Sequence, residues 1–144
     1  MAIPGEARVR DWGLALGVSD GNFAARKVDG STVGITRARH FVTGCLSLWD
    51  VPEAADDVAR VAQELLTNAV RHTPAAVQGA WLGLGTSPRT ILCVVRDPSR
   101  QTPAPRLPGR RAASGGLAVV AALSALWGWR IEENGKAVWA RIPI

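Results

Sequence analysis

Glu64 and Asn68 are the residues of this chain whose types and spacing best suggest chemistry. They stand four apart in the run Gln63-Glu64-Leu65-Leu66-Thr67-Asn68-Ala69-Val70-Arg71-His72, and on a helix residues at i and i+4 lie one above the other. A carboxylate can take a proton as general base, and a carboxamide offers a neutral oxygen to a hard divalent cation. Taken alone, such a pair usually marks a solvated helix face. Here the apolar residues Val58, Val61, Ala62, Leu65, Leu66 and Ala69 recur at i, i+3, i+4, i+7 and i+8 and form a separate stripe directed at a core. Arg71 and His72 extend the polar side.

Three further features would complete a site around that pair. Asp97 closes an apolar run and could accept hydrogen bonds from an exocyclic amine such as that of adenine. Gly115-Gly116 precede an apolar helical stretch, and a helix N-terminus presents free N–H groups to phosphates. Residues 98–114 hold four of the nine prolines together with Arg100, Arg106, Arg110 and Arg111. That composition predicts a long basic loop able to close over phosphates. Together the four features describe a purine nucleoside triphosphate held with a divalent cation, although each is common by itself.

The elements that must position these groups follow from pattern and punctuation. Phe23 to Val28 reads as an edge strand ended by the turn pair Asp29-Gly30. Ser31 or Thr32 can cap a helix running to Leu48, with Ala38, Phe41, Val42, Cys45 and Leu46 on one face. Pro52 suits the first position of a second helix, whose early Glu53, Asp56 and Asp57 complement the helix dipole. This helix carries Glu64 and Asn68 and stops before Pro74. Strands are predicted over Val77 to Thr86 and Thr90 to Arg96, joined by a hairpin turn at Ser87-Pro88-Arg89; the second, apolar throughout, is predicted to be central. A helix over Leu117 to Leu126 follows, then a hairpin of Trp129 to Glu132 and Ala137 to Ile142 around Asn134-Gly135. The order predicts a two-layer α/β (α+β) sandwich with a mixed, mostly antiparallel sheet and helices on one face.

Length and composition set the bounds. The 144 residues, 47% hydrophobic, suit one core-forming domain, read as 22–144, after a loosely ordered extension over 1–21 that shows no sustained period. No apolar run approaches the roughly 20 residues of a membrane span, and Met1 to Glu6 lacks a signal-peptide segment. The expectation is a cytoplasmic protein without membrane attachment. Cys45 and Cys93 lie in apolar runs and read as buried free thiols. The net charge of +5 comes from 15 Arg and 2 Lys that are mostly scattered, with no nucleic-acid motif beside them, so direct nucleic-acid binding is disfavoured. Of the six tryptophans, Trp49, Trp81, Trp127, Trp129 and Trp139 fall in predicted elements and read as core or core edge. Trp12 is the candidate partner contact, and His40 reads as structural or exposed.

Across about residues 23–143 the chain resembles the Bergerat-fold ATPases of the gyrase, Hsp90, histidine kinase and MutL group. Within that group it looks most like the anti-sigma-factor serine/threonine kinases and the small actinobacterial regulators related to them. The resemblance is carried by Glu64 to His72, by Val94-Val95-Arg96-Asp97, by Gly115 to Leu123 with Trp127-Gly128-Trp129, and by Gly135-Lys136-Ala137-Val138-Trp139. It implies that Glu64 is the general base, that Asn68 ligates Mg²⁺ and that Asp97 reads the adenine amine of ATP. It implies that Ser99, Gly115, Gly116 and Leu117 line the nucleotide, with Arg71, His72, Arg110 and Arg111 neutralising its phosphates. The implied partners are a sigma factor and an antagonist protein phosphorylated on serine or threonine, with a homodimer as a further implication. Ser99, Ser114 and Ala137 depart from the pattern, where the wider group has Gly, Gly and Thr. These departures motivate the rival reading, a binding module that keeps the fold and regulates by association without phosphoryl transfer.

Overall fold

Five consecutive apolar residues, Ile91 to Val95, cannot make a strand with one wet face, and the fold covers both sides of them. In a computed structural model of the protein, which describes residues 22–72, 80–97, 116–132 and 135–144, they lie in the central strand of a five-stranded sheet. The strands are β1 (Phe23–Val28), β2 (Ala80–Ser87), β3 (Thr90–Asp97), β4 (Leu126–Glu132) and β5 (Gly135–Pro143). Their spatial order is β1-β2-β3-β5-β4, so β1 is the edge strand expected of it. Among the described residues the helices are α1 (Thr32–Leu48), α2 (Ala55–His72) and α3 (Gly116–Leu123). The architecture is a two-layer α+β sandwich.

The sheet is antiparallel at all four of its pairings rather than mixed. Two helices in succession return the chain to the end of the sheet it left, so β2 begins opposite the end of β1, with Val28 facing Ala80. Among the described residues α3 alone lies between β3 and β4, and those strands run the same way. The parallel ladder this would give never forms, because β5 inserts between them and pairs with each.

Local chemistry explains the helix ends. The Ser31 hydroxyl accepts the Gly34 N–H at 3.0 Å, satisfying one orphan donor of α1. Asp29 in turn accepts the Ser31 N–H at 2.9 Å and the Ser31 hydroxyl. These two bonds hold its carboxyl below the ordinary carboxylate range. A side chain at Gly34 would run into the Asp29 carbonyl oxygen, which is why this turn carries glycine. At the other end Asp50 adopts φ 67°, while Val51 N–H reaches the Leu46 carbonyl at 2.8 Å and Asp50 N–H the Ser47 carbonyl at 3.2 Å. That is the Schellman arrangement, with Asp where glycine is favoured. Pro52 opens a 3₁₀ turn, Pro52–Ala54, and α2 proper starts at Ala55.

The core forms between the helices and one face of the sheet. Val42 and Leu46 of α1, and Val58, Val61, Leu65, Leu66 and Ala69 of α2, pack with Leu82, Leu84, Ile91, Cys93, Val95, Val138, Ala140 and Ile142. The other face carries Leu92 and Val94, also buried, and its cover is largely aromatic. A Cβ on Gly83 would lie 3.0 Å from the Phe23 ring, and one on Gly128 3.0 Å from the Trp139 ring. Trp49 and Trp127 pack at the core edge as expected, but Trp129 is 41% exposed, because β4 is the outer strand. His40 is exposed.

Boundaries shift by a few residues. α3 ends at Leu123 rather than Leu126, because the Ala125 N–H turns to the Arg141 carbonyl at 2.8 Å and starts β4 at Leu126. β5 begins at Gly135. The hairpin turn is the two residues Pro88-Arg89, with Ser87 facing Thr90. The expectations for residues 1–21, Trp12, Val77 to Gln78-Gly79, 98–114 and Asn134 lie outside the described residues. Among those described, no helix is long and apolar enough to cross a membrane.

Two outcomes follow from this packing. Replacing Asp50 by Gly should raise stability by about 0.5–1 kcal/mol by relieving the left-handed residue, measured by thermal unfolding; an unchanged or lower midpoint would contradict the cap assignment. Burial pushes the Cys93 thiol up to about 12 and the Cys45 thiol up by less, with Cys45 only partly buried. A thiol reagent at pH 8 should therefore label Cys45 first and Cys93 only on unfolding, read by mass spectrometry.

Candidate functional site

The strong amphipathicity of α2 decides where its polar residues go. Val58, Val61, Ala62, Leu65, Leu66 and Ala69 are all at most 1% exposed, which fixes the rotation of the helix about its axis. At about 100° per residue that rotation places Glu64 away from the core and Asn68 on its flank. Both are partly buried, as is Thr67, whereas Gln63 and Arg60 are exposed. Asn68 Nδ2 is buried and meets no hydrogen-bond partner among the described residues, a polar atom whose burial calls for a ligand, a water or a further protein group.

The end of the sheet reached by this part of α2 follows from Gly30. A Cβ there would collide with Val70 of α2, and Gly30 follows Val28 at the end of the sheet where Ala80, Asp97 and Lys136 stand level. α2 packs along β3, β5 and α3. The C-terminal end of α2, at Val70, and the end of β3 thus lie at the same end of the sheet.

Asp97 is 4% exposed and is held by Lys136, which is 0% exposed. Lys136 Nζ donates to Asp97 Oδ1 at 3.2 Å and stands 3.2 Å from Oδ2. The pairing is dictated by register: Asp97 on β3 faces Lys136 on β5. Side chains alternate along a strand, so Ala137 points to the opposite sheet face, level with Arg96. The residue that meets Asp97 from the closing hairpin is therefore Lys136, and the departure noted at Ala137 matters on the other face.

Among the described residues, Lys136 is a member of the candidate site that sequence reasoning passed over. Its signal was present: it is one of only two lysines and directly follows the glycine of the hairpin turn. What was missing was which strand of that hairpin pairs with β3.

Of the other expected site residues, Leu117 lies in the first turn of α3 and is buried at 9% exposure, while Gly116 is the first residue of that helix. Arg71 and His72 form the last turn of α2. Ser99, Arg110, Arg111, Ser114 and Gly115 lie outside the described residues. Among those described, no three His, Cys, Asp or Glu side chains gather as a metal-binding group. A single carboxamide ligand suits Mg²⁺ that takes its remaining oxygens from phosphates and water.

The fit to a magnesium nucleotide is thus uneven. The α2 pair fits: a carboxylate and a carboxamide lie partly buried side by side, with one buried amide nitrogen awaiting a partner. The base-reading carboxylate fits less simply, since Lys136 Nζ donates to its Oδ1 and stands 3.2 Å from Oδ2. No protein family matches the chain, and no curated protein matches it.

Losing Lys136 leaves a buried carboxylate uncompensated. Lys136→Ala should lower stability by about 3–5 kcal/mol, whereas replacing both partners by apolar residues of similar volume should cost much less. Equilibrium denaturation of the two variants checks this, and equal losses would contradict the buried pairing.

Proposed function

We propose that the chain has the Bergerat ATPase architecture and is an ATP-binding regulatory protein of the anti-sigma-factor serine/threonine kinase type. One observation supports this most: Glu64 and Asn68 lie one turn apart on α2, both partly buried, on the helix whose C-terminal end reaches the sheet end where β3 carries Asp97. Magnesium ATP, when bound, supplies the transferable phosphoryl group and the cation that offsets its charge. Asn68 would offer its carboxamide oxygen to Mg²⁺. Glu64 would take the proton from a serine or threonine hydroxyl of the antagonist protein. The first turn of α3, with Gly116 and Leu117, would flank the nucleotide. Positioning and charge neutralisation dominate such transfers, which suits a site built on two rigid elements. The associated partners are a sigma factor and its antagonist, with a second copy of the chain as a further partner.

The Asp97–Lys136 pair favours a second reading, a module of the same fold that regulates by association alone. The two readings part in one experiment. On the kinase reading, calorimetric titration of ATP gives Mg²⁺-dependent binding that Asn68→Ala weakens by about tenfold or more, a loss of about 1.4 kcal/mol. Glu64→Ala keeps ATP bound and slows phosphorylation of a co-incubated antagonist by about 10²–10⁴-fold. Absence of ATP binding up to millimolar concentration, in cooperatively folded protein, would sink the kinase reading and leave association alone.

A further inference from the structure

The sheet face turned away from the helices carries a charge pattern that the linear sequence hides. Lys27, Trp81, Arg96, Ala137 and Arg130 come from five different strands, yet register sets them level in one row. Side chains alternate along each strand, so all five stand on the face opposite Val95 and Val138. Successive cations of the row are two strands apart, about 10 Å at the backbone, with Trp81 between the first two. Lys27 and Arg130 are exposed, while Arg96 and Trp81 are half-buried. Apart from Glu132 at the tip of β4, no Asp or Glu takes a position on this face of the five strands. Cations that are scattered along the chain, and argue against nucleic acid when read singly, are thus gathered by strand pairing.

The neighbouring row is Ala25, Gly83, Val94, Trp139 and Gly128. A side chain at Gly128 would meet the Trp139 indole, so that ring lies across β4 rather than standing off the sheet. It stays partly exposed. The result is a low shelf with an indole laid along it and cations at its border. A protein partner is anchored by side chains that fill pockets, whereas a low, glycine-lined shelf suits a flat ring laid on another. A second copy set face to face would oppose rows of the same charge, which is costly. A duplex keeps its base faces stacked inside, out of reach of the indoles.

We infer that this face binds single-stranded nucleic acid, with bases stacking on Trp139 and Trp81 and phosphates pairing with Lys27, Arg96 and Arg130. The bound strand crosses the sheet along the row, roughly perpendicular to the β-strands. Recognition of this kind tolerates any sequence, because every base has a π-face. The inference stands apart from the ATP reading, since α2 and Asp97 lie on the other side of the sheet.

The test is fluorescence anisotropy of a labelled twelve-nucleotide oligothymidylate with the intact chain, over a range of salt concentrations. The same strand annealed to its complement, inorganic polyphosphate and poly-glutamate serve as competitors. The expected affinity is about micromolar at low salt, with a log–log salt slope of about −2, from three phosphate contacts at roughly 0.7 each. Joint Lys27→Glu and Arg130→Glu replacement, at two exposed positions, should weaken binding by about tenfold or more and flatten the slope. Trp139→Leu should weaken it by about fivefold or more, whereas Trp139→Phe keeps it within about twofold. Should Trp139→Leu fail to unfold cooperatively, the charge-reversed protein and the competitors decide. Absence of binding at low salt overturns the inference, as does binding that charge reversal leaves unchanged. Polyphosphate competing as well per charge as the oligonucleotide overturns it by showing a surface for anions alone. Poly-glutamate competing equally assigns the face to an acidic protein partner, and a duplex competing better than the single strand removes the stacking role; either result overturns it too.

Discussion

The burial of β3 on both faces is the constraint from which the other arrangements follow. Ile91, Cys93 and Val95 point to the helices and Leu92 and Val94 to the other side, and all five are at most 1% exposed. Apolar area is removed from water at roughly 25 cal/mol per Å², so a strand of this kind must be flanked by strands and capped by two layers of side chains. The helix layer does this on one face through the stripe of α2. On the other face the small residues Gly83 and Gly128 let the Phe23 and Trp139 rings lie close over the sheet. The rotation of α2 is set by this same demand, and the placement of Glu64 and Asn68 follows from it.

Where the apolar run of β3 stops, charge enters the interior. Asp97 and Lys136 lie at the last step of the β3–β5 ladder on the helix face, two residues beyond Val95 and Val138. A buried ion pair is a poor source of net stability compared with apolar side chains of the same volume. It is instead selective about geometry, since a one-residue slip of β5 against β3 would turn Lys136 to the other face and leave Asp97 unmet. The pair therefore pins the register of the closing hairpin and sets the electrostatics of the sheet end beside α2.

Most of the fold could be read from local pattern because its strongest signals are local. The Ser31 cap, the 3.6-residue stripe of α2, the unbroken apolar run of β3 and the turn at Pro88-Arg89 each need only a few neighbouring residues. Glu64 and Asn68 were readable for the same reason, as spacing on one helix. The misjudged features depend on long-range order. The parallel component expected of the sheet fails because β5, not β4, pairs with β3, a choice that no local pattern of the hairpin encodes. Lys136 escaped notice by the same gap, since its partner lies 39 residues away in sequence. The end of α3 moved because the Ala125 N–H prefers a strand carbonyl to a further helical turn.

The last hydrogen bond of the chain has a practical geometric meaning. Ile144 N–H donates to the Arg89 carbonyl at 3.0 Å, and Pro143 stands level with Thr90, at the opposite end of β3 from Asp97. At roughly 3.4 Å per residue, the seven steps from Thr90 to Asp97 put about 24 Å between those ends. Asn22 leaves β1 near the same end as Ile144, through its mutual hydrogen bonds with Thr86. Anything joined at Asn22 or Ile144, whether a surface linker, a fluorophore or a fused domain, is thus anchored on the pole away from Asp97 and Lys136. A molecule tethered at Ile144 would leave the Asp97–Lys136 end of the sheet pointing away from its own attachment.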